Sequence, residues 1–253
     1  MTTIRIKSIK RRRNKYKMKI AIIGYGKMGQ TIEGLAVAKG HEIVLKITIN
    51  NLEDMTIANL QKADVAIEFT QPSSAADNIK MCIEAGVPVI SGTTAWLDRL
   101  EEVKAFCAEK KGGFLYASNF SIGVNLFFKL NEYLAELMKD YDEYNPVMEE
   151  IHHTHKLDAP SGTGITLAEG ILKIHPKKQK WVNNETDQPE ELALISKRID
   201  PAPGTHNIEY QSEVDTIEIK HTAHSRIGFA KGAVVAAEWM IGKTGFFGMK
   251  DVL

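Results

Sequence analysis

Three histidines and a lysine lie within five residues of the chain, in a stretch that we call the cationic segment (residues 152–156): His152, His153, His155 and Lys156. Side chains of these types bind anions, and histidine and lysine can also give up a proton. A metal site needs converging neutral ligands, but neither a cysteine pair nor an H-E-x-x-H motif is present, and Lys156 would repel a cation. The segment therefore favours an anion site over a metal site or a structural surface cluster.

A turn of small residues follows, and Ser161 is well suited to cap the next helix. Gly162 and Thr163 then lie in the first helical turn, where backbone N–H groups have no intrahelical partner. Those groups would bind one carboxylate, and Lys156 or a histidine would bind a second one. We call residues 161–163 the anion-binding turn and predict a site for a small dicarboxylate.

The same stretch offers a proton donor. The ordinary pKa of histidine, roughly 6.5, allows proton transfer near neutral pH. Lysine can also serve if neighbouring cations and partial burial make its proton easier to lose. A hydride acceptor that gains electron density at carbon needs such a proton nearby. The chemistry predicted for the cationic segment is therefore proton donation to a bound dianion.

A second motif, "GYGKMG", lies between an apolar run at 18–23 and a stretch with helical spacing. Gly24, Gly26 and Gly29 satisfy G-x-G-x-x-G in the strand–helix context that a dinucleotide needs. Gly24 permits a tight turn, Gly26 lets backbone approach a pyrophosphate, and Gly29 allows close packing of helix on strand. The motif predicts a nicotinamide or flavin dinucleotide site, with a bare strand–helix turn as the alternative.

The acidic residue expected at the end of the second strand is not evident. Thr48, Asn50 and Asn51 occupy that region, and Glu53 and Asp54 come late. The choice between NAD and NADP therefore stays open. Two further loops, "SGTTAW" and "ASNFSIG", follow strand ends and either approach the nicotinamide or act as ordinary helix caps.

These motifs lie within a regular alternation of predicted strands and helices. Apolar runs and helical stretches alternate five times through about residue 118, which predicts an α/β fold with a Rossmann-like, doubly wound parallel sheet. Beyond this point the pattern changes to that of an α+β domain, with helices predicted at 124–138 and 161–174. Two alternating runs, 206–212 and 215–223, predict an antiparallel hairpin.

The last apolar stretch, "IGFAKGAVVAAEWMIG", predicts an amphipathic helix that folds back on the first domain. We expect a dinucleotide-binding domain from 18–120 with 227–253. A substrate-binding and oligomerisation domain with a mixed or antiparallel sheet would occupy 121–226.

Amino-acid composition limits the kinds of partner that we expect this protein to bind. Lys plus Arg and Asp plus Glu both number 32, so the net charge is zero, which argues against nucleic acid as a partner. The basic stretch 1–17 predicts a solvated, disordered extension, with a nucleic-acid-binding arm as the alternative. No signal-like or membrane-spanning apolar run occurs, so we expect a cytoplasmic protein with Cys82 and Cys107 as free thiols.

Five segments together resemble one family. They are "GYGKMG", "SGTT", "ASNFSIGVN", "EEIHHTHKLDAPSGT" and "SRIGFAKGA". In this order, from Met18 onwards, they are similar to the 4-hydroxy-tetrahydrodipicolinate reductases (dihydrodipicolinate reductases) of bacterial lysine and diaminopimelate synthesis. The resemblance implies reduction of a cyclic imine dicarboxylate with NADH or NADPH by a homotetramer built through its substrate domain.

The resemblance also implies residue roles. His152 would act as proton donor and acceptor and Lys156 as a second proton donor, with no metal. Carboxylates of the substrate would be bound by His153, Ser161, Gly162 and Thr163. The residues that would line the cofactor are Gly24, Tyr25, Gly26, Lys27, Met28, Gly29, Gly92, Thr93, Thr94, Ala117, Ser118, Asn119 and Phe120.

Two other functions are compatible with a two-domain plan of this kind. A semialdehyde dehydrogenase needs a cysteine nucleophile at the domain junction. The junction "ASNFSIG" contains none, and both cysteines lie in predicted helices. A non-catalytic, NAD-sensing regulatory protein of the same fold is the remaining alternative, although His152 and Lys156 favour an enzyme.

Overall fold

A computed structural model describes residues 17–225 and 227–253. The predicted basic extension therefore lies outside the described residues, apart from Lys17. Five strands of the first half are β1 (Lys19–Ile23), β2 (Glu42–Ile47), β3 (Val65–Glu68), β4 (Val89–Ser91) and β5 (Gly113–Tyr116), and a strand near the C-terminus, β11 (Gly245–Phe247), joins them. Together they form a six-stranded parallel sheet with the spatial order β11-β5-β4-β3-β1-β2.

Helices cover both faces of this sheet. They are α1 (Lys27–Ala38), α2 (Ile57–Leu60), α3 (Pro72–Glu84), α4 (Leu100–Glu109), α7 (Ile227–Met240) and α8 (Met249–Val252). Side chains in β1 alternate between the two layers: Ile20 and Ile22 pack with α1 and α7, while Ala21 and Ile23 pack with α3 and α4. The predicted Rossmann-like fold is confirmed, and α7 returns to the first sheet as expected.

The second sheet is mixed and has the order β10-β9-β6-β8-β7. Its strands are β6 (Asn145–His152), β7 (Lys180–Val182), β8 (Glu191–Arg198), β9 (Thr205–Gln211) and β10 (Thr216–Thr222). Strands β9 and β10 form the predicted antiparallel hairpin, and β6 to β8 and β8 to β7 are parallel. Helices α5 (Ile122–Met138) and α6 (Gly162–Leu172) share a buried core with this sheet.

Three strands were not predicted from the sequence. Strands β7 and β11 have three residues each, which is too short for an alternating pattern to be visible. Strand β8 contains the apolar run of Leu192, Ala193 and Leu194, a signal that was overlooked.

Two expectations concern cysteines and membranes. Cys82 in α3 and Cys107 in α4 are buried and free, as predicted. Among the helices of the described residues, none is both long and apolar enough to cross a bilayer.

Candidate active site

The glycine-rich turn joins β1 to α1 in a conformation that requires its glycines. Gly24 has a φ of +93°, and a Cβ at this position would lie 1.9 Å from the carbonyl oxygen of Phe69. A Cβ at Gly29 would lie 2.5 Å from the carbonyl oxygen of Gly24, so the absence of a side chain lets α1 approach β1. The sequence predicted both of these steric roles.

Gly26, by contrast, borders open space. It is the N-cap residue of α1, no side chain caps the helix there, and an added Cβ would meet no atom within 4 Å. The first backbone N–H groups of α1, from Lys27 onwards, therefore lie at an accessible helix N-terminus. This arrangement fits the pyrophosphate of a dinucleotide.

A cleft of about 270 Å³ adjoins this turn. It joins the start of α1 to the loops that follow β3 and β4, at the carboxyl ends of parallel strands where open α/β sheets bind ligands. Its lining residues are Met28, Phe69, Thr70, Pro72, Gly92, Thr93 and Thr94. The structure thus brings together two of the three predicted cofactor loops.

A buried carboxylate that the sequence did not single out supports this cleft. Glu68, at the end of β3, accepts hydrogen bonds from the Ser91 hydroxyl at 2.5 Å, the Thr93 hydroxyl at 2.9 Å and the Thr70 N–H at 3.0 Å. Burial raises the pKa of the Glu68 carboxyl despite these hydrogen bonds. Glu68 therefore ties the loops after β3 and β4 to one another.

The region expected to bind the adenosine ribose is bonded internally. The N–H and hydroxyl of Thr48 donate to the side-chain oxygen of Asn51 at 2.8 and 2.7 Å, and the Asn51 amide donates to Asp54. Lys46 lies 3.0 Å from Glu33 and 4.9 Å from the centre of the Tyr25 ring. This stretch therefore presents a paired cation beside the glycine-rich turn.

The third predicted cofactor loop connects the two halves of the molecule. Ala117 and Phe120 are buried, and the centre of the Phe120 ring lies 5.7 Å from that of Phe69, so Phe120 supports this loop from inside the fold and is not open to a ligand. The Asn119 amide donates to the Thr163 hydroxyl at 3.5 Å. This contact places the anion-binding turn against a loop that follows the first sheet.

The anion-binding turn has the predicted geometry. The Ser161 hydroxyl caps α6 by accepting a hydrogen bond from the Gly164 N–H at 3.0 Å. Within the described residues, the N–H groups of Gly162 and Thr163 donate to no acceptor. Both groups are therefore available to bind a carboxylate.

The cationic segment begins inside the fold and ends near the surface. His152 is buried, His153 is half-buried and His155 is exposed. The Lys156 ammonium lies 2.7 and 2.8 Å from the two carboxylate oxygens of Asp158. This exposed carboxylate therefore neutralises the predicted proton donor in the structure.

Burial also affects His152. It lowers the pKa of this imidazole to about 4, against the opposing effect of the Glu150 carboxylate, while His206, Lys156 and Arg198 lower it further. His152 is thus neutral at pH 7 before a ligand binds. A bound dianion would raise the pKa towards the range in which the imidazole donates a proton.

The structure brings together three side chains that could coordinate a metal ion, of which only His152 belongs to the cationic segment. Glu150, His152 and His206 each offer one atom, and the three atoms lie within 4.8 Å of one another. The Arg198 guanidinium lies 3.2 Å from Glu150, however, and this positive charge opposes binding of a cation. His153 and His155 are not part of the group.

Glu150, Arg198 and His206 were missed because they are distant from one another in sequence. The alternation of side chains along β6 gave one usable signal, because Glu150 and His152 lie on the same buried face of that strand as Met148. A glutamate and a histidine together on the buried face of a strand indicate a polar site, not hydrophobic core.

The fold and site define a class of protein first. The first sheet is of the Rossmann type and has an accessible glycine-rich turn. It is joined to a second sheet that presents histidines and a lysine. This combination is typical of a nucleotide-dependent oxidoreductase with a separate substrate-binding region. Residues 18–120 match the family model for the N-terminus of dihydrodipicolinate reductase, and residues 123–253 match the model for its C-terminus. The chain belongs to the dihydrodipicolinate reductase family.

Individual relatives agree with this assignment. The chain is 48% identical over 236 residues to the 4-hydroxy-tetrahydrodipicolinate reductase of Christiangramia forsetii, which covers 93% of this chain and 98% of that protein. A dipicolinate-bound dihydrodipicolinate reductase from Paenisporosarcina sp. TG-14 has the same fold, with a TM-score of 0.73, 22% identity, and coverage of 94% of this chain and 100% of that one. A probable dehydrogenase from Thermotoga maritima is similar in fold, with a TM-score of 0.56 and 9% identity over 92% of each chain.

Proposed function

We propose that this protein reduces 4-hydroxy-tetrahydrodipicolinate, via the cyclic imine dihydrodipicolinate, to tetrahydrodipicolinate in the diaminopimelate and lysine pathway. NADH or NADPH is the reductant. The observation that carries the proposal is the contact between Asn119 and Thr163, because it joins a cofactor loop to the anion-binding turn. The 48% identity to a protein named for this activity supports the choice of substrate.

The residues that would hold the cofactor lie along the carboxyl edge of the first sheet. Gly24, Gly26 and Gly29 in the glycine-rich turn would bind its pyrophosphate, with Tyr25, Lys27 and Met28 beside them. The loops after β4 and β5 would hold the nicotinamide through Gly92, Thr93, Thr94, Ala117, Ser118 and Asn119, with Phe120 packed behind them. The 270 Å³ cleft between the first two loops supports this placement.

The substrate lies against the cationic segment. One carboxylate accepts hydrogen bonds from Gly162 and Thr163, whose helix Ser161 caps, and His153 binds the other carboxylate. A bound reduced nicotinamide would supply a hydride to the unsaturated ring. Lys156 or His152 donates a proton to the ring atom on which negative charge develops, so one hydride and one proton are added in total.

The domain division follows the two sheets. Residues 18–120 with 227–253 form the dinucleotide-binding domain, and residues 121–226 form the substrate-binding and oligomerisation domain. The parallel pairing of β11 with β5 supports the return of the C-terminal stretch to the first domain.

A coupled assay tests the activity. Pyruvate and aspartate semialdehyde are supplied with the preceding synthase, and nicotinamide absorbance is followed with NADH and NADPH in turn. Oxidation that depends on the synthase is expected. Loss of the signal with both cofactors, in a protein that still binds nucleotide, would instead support the NAD-sensing regulatory alternative.

The assembly is a homotetramer formed through the substrate domain. Strand β10 is an edge strand of the second sheet, and α5, which packs against it, exposes Leu126, Leu130, Tyr133 and Leu137. An apolar stripe of this kind is typical of an interaction surface.

Light scattering tests the assembly, with an expected mass of four times the 28.2 kDa chain. Leu130→Glu should lower the mass, whereas Val37→Glu, at an exposed apolar position on α1, should not. A monomeric wild-type protein would contradict the proposal.

A further inference from the structure

Glu150 is a buried carboxylate that the proposed chemistry does not use. It lies on the inward face of β6, two residues before His152, and its side chain is fully shielded from solvent. Burying a carboxylate without partners is costly, so the groups around it indicate what it stabilises.

The two oxygens of Glu150 have different partners. Oε1 accepts hydrogen bonds from the Ser161 N–H at 2.9 Å and from the Arg198 guanidinium at 3.2 Å. Oε2 accepts a hydrogen bond from the Ser161 hydroxyl and lies 3.6 Å from His206 Nε2 and 3.7 Å from His152 Nδ1. One carboxylate thus contacts the anion-binding turn, β8, β9 and the imidazole of His152.

The start of α6 is shaped to approach this carboxylate. A Cβ on Gly164 would lie 2.9 Å from Glu150 Oε2. The absence of a side chain at Gly164 therefore lets the helix N-terminus, with its partial positive charge, come close to the carboxylate.

His152 Nδ1 is a buried atom with no hydrogen-bond partner among the described residues. Its nearest carboxylate oxygen is Glu150 Oε2, slightly beyond hydrogen-bond distance. The other ring nitrogen, Nε2, lies on the side of Gly204, where an added Cβ would be 3.1 Å away. A small closing movement would make Nδ1 the donor to Glu150 and leave Nε2 to face a ligand.

From this geometry we infer that Glu150 is a positioning residue, which fixes the anion-binding turn through Ser161 and orients the His152 imidazole through Nδ1. The inference rests on the proposed function, because it assigns the turn to a substrate carboxylate and His152 to proton transfer. Glu150 touches neither substrate nor cofactor in this role.

The charges around Glu150 are consistent with a fixed anion. Burial alone would raise the pKa of the Glu150 carboxyl, but that pKa lies well below its ordinary value, because the neighbouring His206 and the hydrogen bonds from Ser161 outweigh burial. The other charged or titratable groups around Glu150 and His152 are Arg198 on β8, His206 on β9, and Lys156 and Asp158 in the stretch after β6.

Glu150→Gln tests the inference, with Glu149→Gln as the matched control. Glu149 lies on the opposite face of β6, where it pairs with Lys197 at the surface. Glu150→Gln should raise KM for the dicarboxylate by about 10-fold or more, because an amide NH2 in place of Oε2 cannot accept the hydrogen bond from the Ser161 hydroxyl, and the negative charge opposite Arg198 is lost. It should change KM for the cofactor less than two-fold.

The pH profile separates positioning from general loss of structure. The Glu150 carboxylate raises the pKa of His152, so its removal should move the alkaline limb of kcat, which reports the substrate complex, to lower pH by about one unit. Ser161→Ala, which breaks the same link from the other side, should raise KM but leave that limb in place. Glu149→Gln should resemble wild type in both measurements.

Two results would overturn the inference. One is Glu150→Gln with wild-type substrate KM and pH profile. The other is equal loss of substrate and cofactor binding, as expected if the residue only supports folding. Cofactor binding, followed by nicotinamide fluorescence, shows that the variant is folded. A wild-type protein without turnover would be a failure of the proposed function, and is seen before any variant is compared.

Discussion

Charged side chains of the site pair with one another. Asp158 pairs with Lys156, Arg198 pairs with Glu150, and the low pKa of His152 keeps its imidazole neutral at pH 7. A dianion therefore enters a site whose cations must change partners. Of these pairs, Lys156 and Asp158 is the more exposed, so it is the one that a ligand can exchange at low cost.

Replacing Lys156 by alanine removes a proton donor and an ammonium together. If Lys156 is a general acid, kcat should fall by roughly 10²–10⁴-fold in a steady-state assay with saturating cofactor. Lys173→Ala, at the exposed C-terminal end of α6, is the control and should keep full activity. A higher KM with unchanged kcat would instead make Lys156 an anion ligand only.

Asp158→Asn should strengthen substrate binding, whereas loss of the Lys156 ammonium would weaken it. The Asp158 carboxylate competes with the substrate for Lys156, and an exposed ion pair is worth at most about 1 kcal/mol. KM for the dicarboxylate should therefore fall by up to about five-fold. Asp142→Asn, which removes an exposed pair with Lys177, is the matched control. A rise in KM would show that Asp158 holds Lys156 in its working position.

At the scale of elements, the loop after β5 is held by a helix from the far end of the chain. A Cβ on Gly232 in α7 would lie 1.7 Å from the Phe120 carbonyl oxygen, so α7 packs directly on the backbone of this loop. The same loop contributes Asn119 to the contact with Thr163. The position of α7 therefore influences the junction of cofactor and substrate regions.

Gly232→Ala should push α7 away from this loop. Overpacking against backbone typically costs 1–3 kcal/mol, so we expect a loss of about 2 kcal/mol in unfolding free energy, together with weaker cofactor binding. Gly228→Ala is the control in the same helix, because its Cβ would make an ordinary contact 3.5 Å from Ser121. That change should be neutral or stabilising by up to about 1 kcal/mol. Urea unfolding and nicotinamide fluorescence measure both effects, and equal behaviour of the two variants would contradict the argument.

Parts of the site that are contiguous in the chain could be predicted from the sequence. The glycine-rich turn, the cationic segment and the anion-binding turn are each contiguous, so local spacing was enough to place them on the correct elements. Glu150, Arg198 and His206 come from β6, β8 and β9, and only strand pairing brings them together. Glu68 was missed for the same reason, since its partners follow two neighbouring strands.

For the whole molecule, the alternation of strands and helices predicted the first sheet, because each βαβ unit buries its strand on both faces. The order of strands in the second sheet was beyond the sequence, since β7 and β8 add to β6 on the side opposite the hairpin. The family resemblance named a substrate, which periodicity and composition cannot do. The network around Glu150 emerges only from the assembled fold.

Burial of His152 has a consequence for the stability of the entire protein. Its pKa is about 4 in the folded state and roughly 6.5 when unfolded, so the unfolded chain binds more protons between these values. Stability must therefore fall as pH decreases through this window. Between pH 7 and pH 5, linkage gives a loss of about 2 kcal/mol from His152. Burial lowers the pKa of His175 and His221 too, which adds to the same trend.

His152→Gln should remove this contribution. In urea titrations at pH 7 and pH 5, the variant should lose about 2 kcal/mol less unfolding free energy than wild type over that interval, whatever its stability at pH 7. His155→Gln is the control, because His155 is exposed. It should follow the wild-type pH dependence. If wild type and His152→Gln lost stability in parallel, His152 would have to titrate near its ordinary pKa in the folded protein, and the burial that makes it neutral before substrate binds would be refuted.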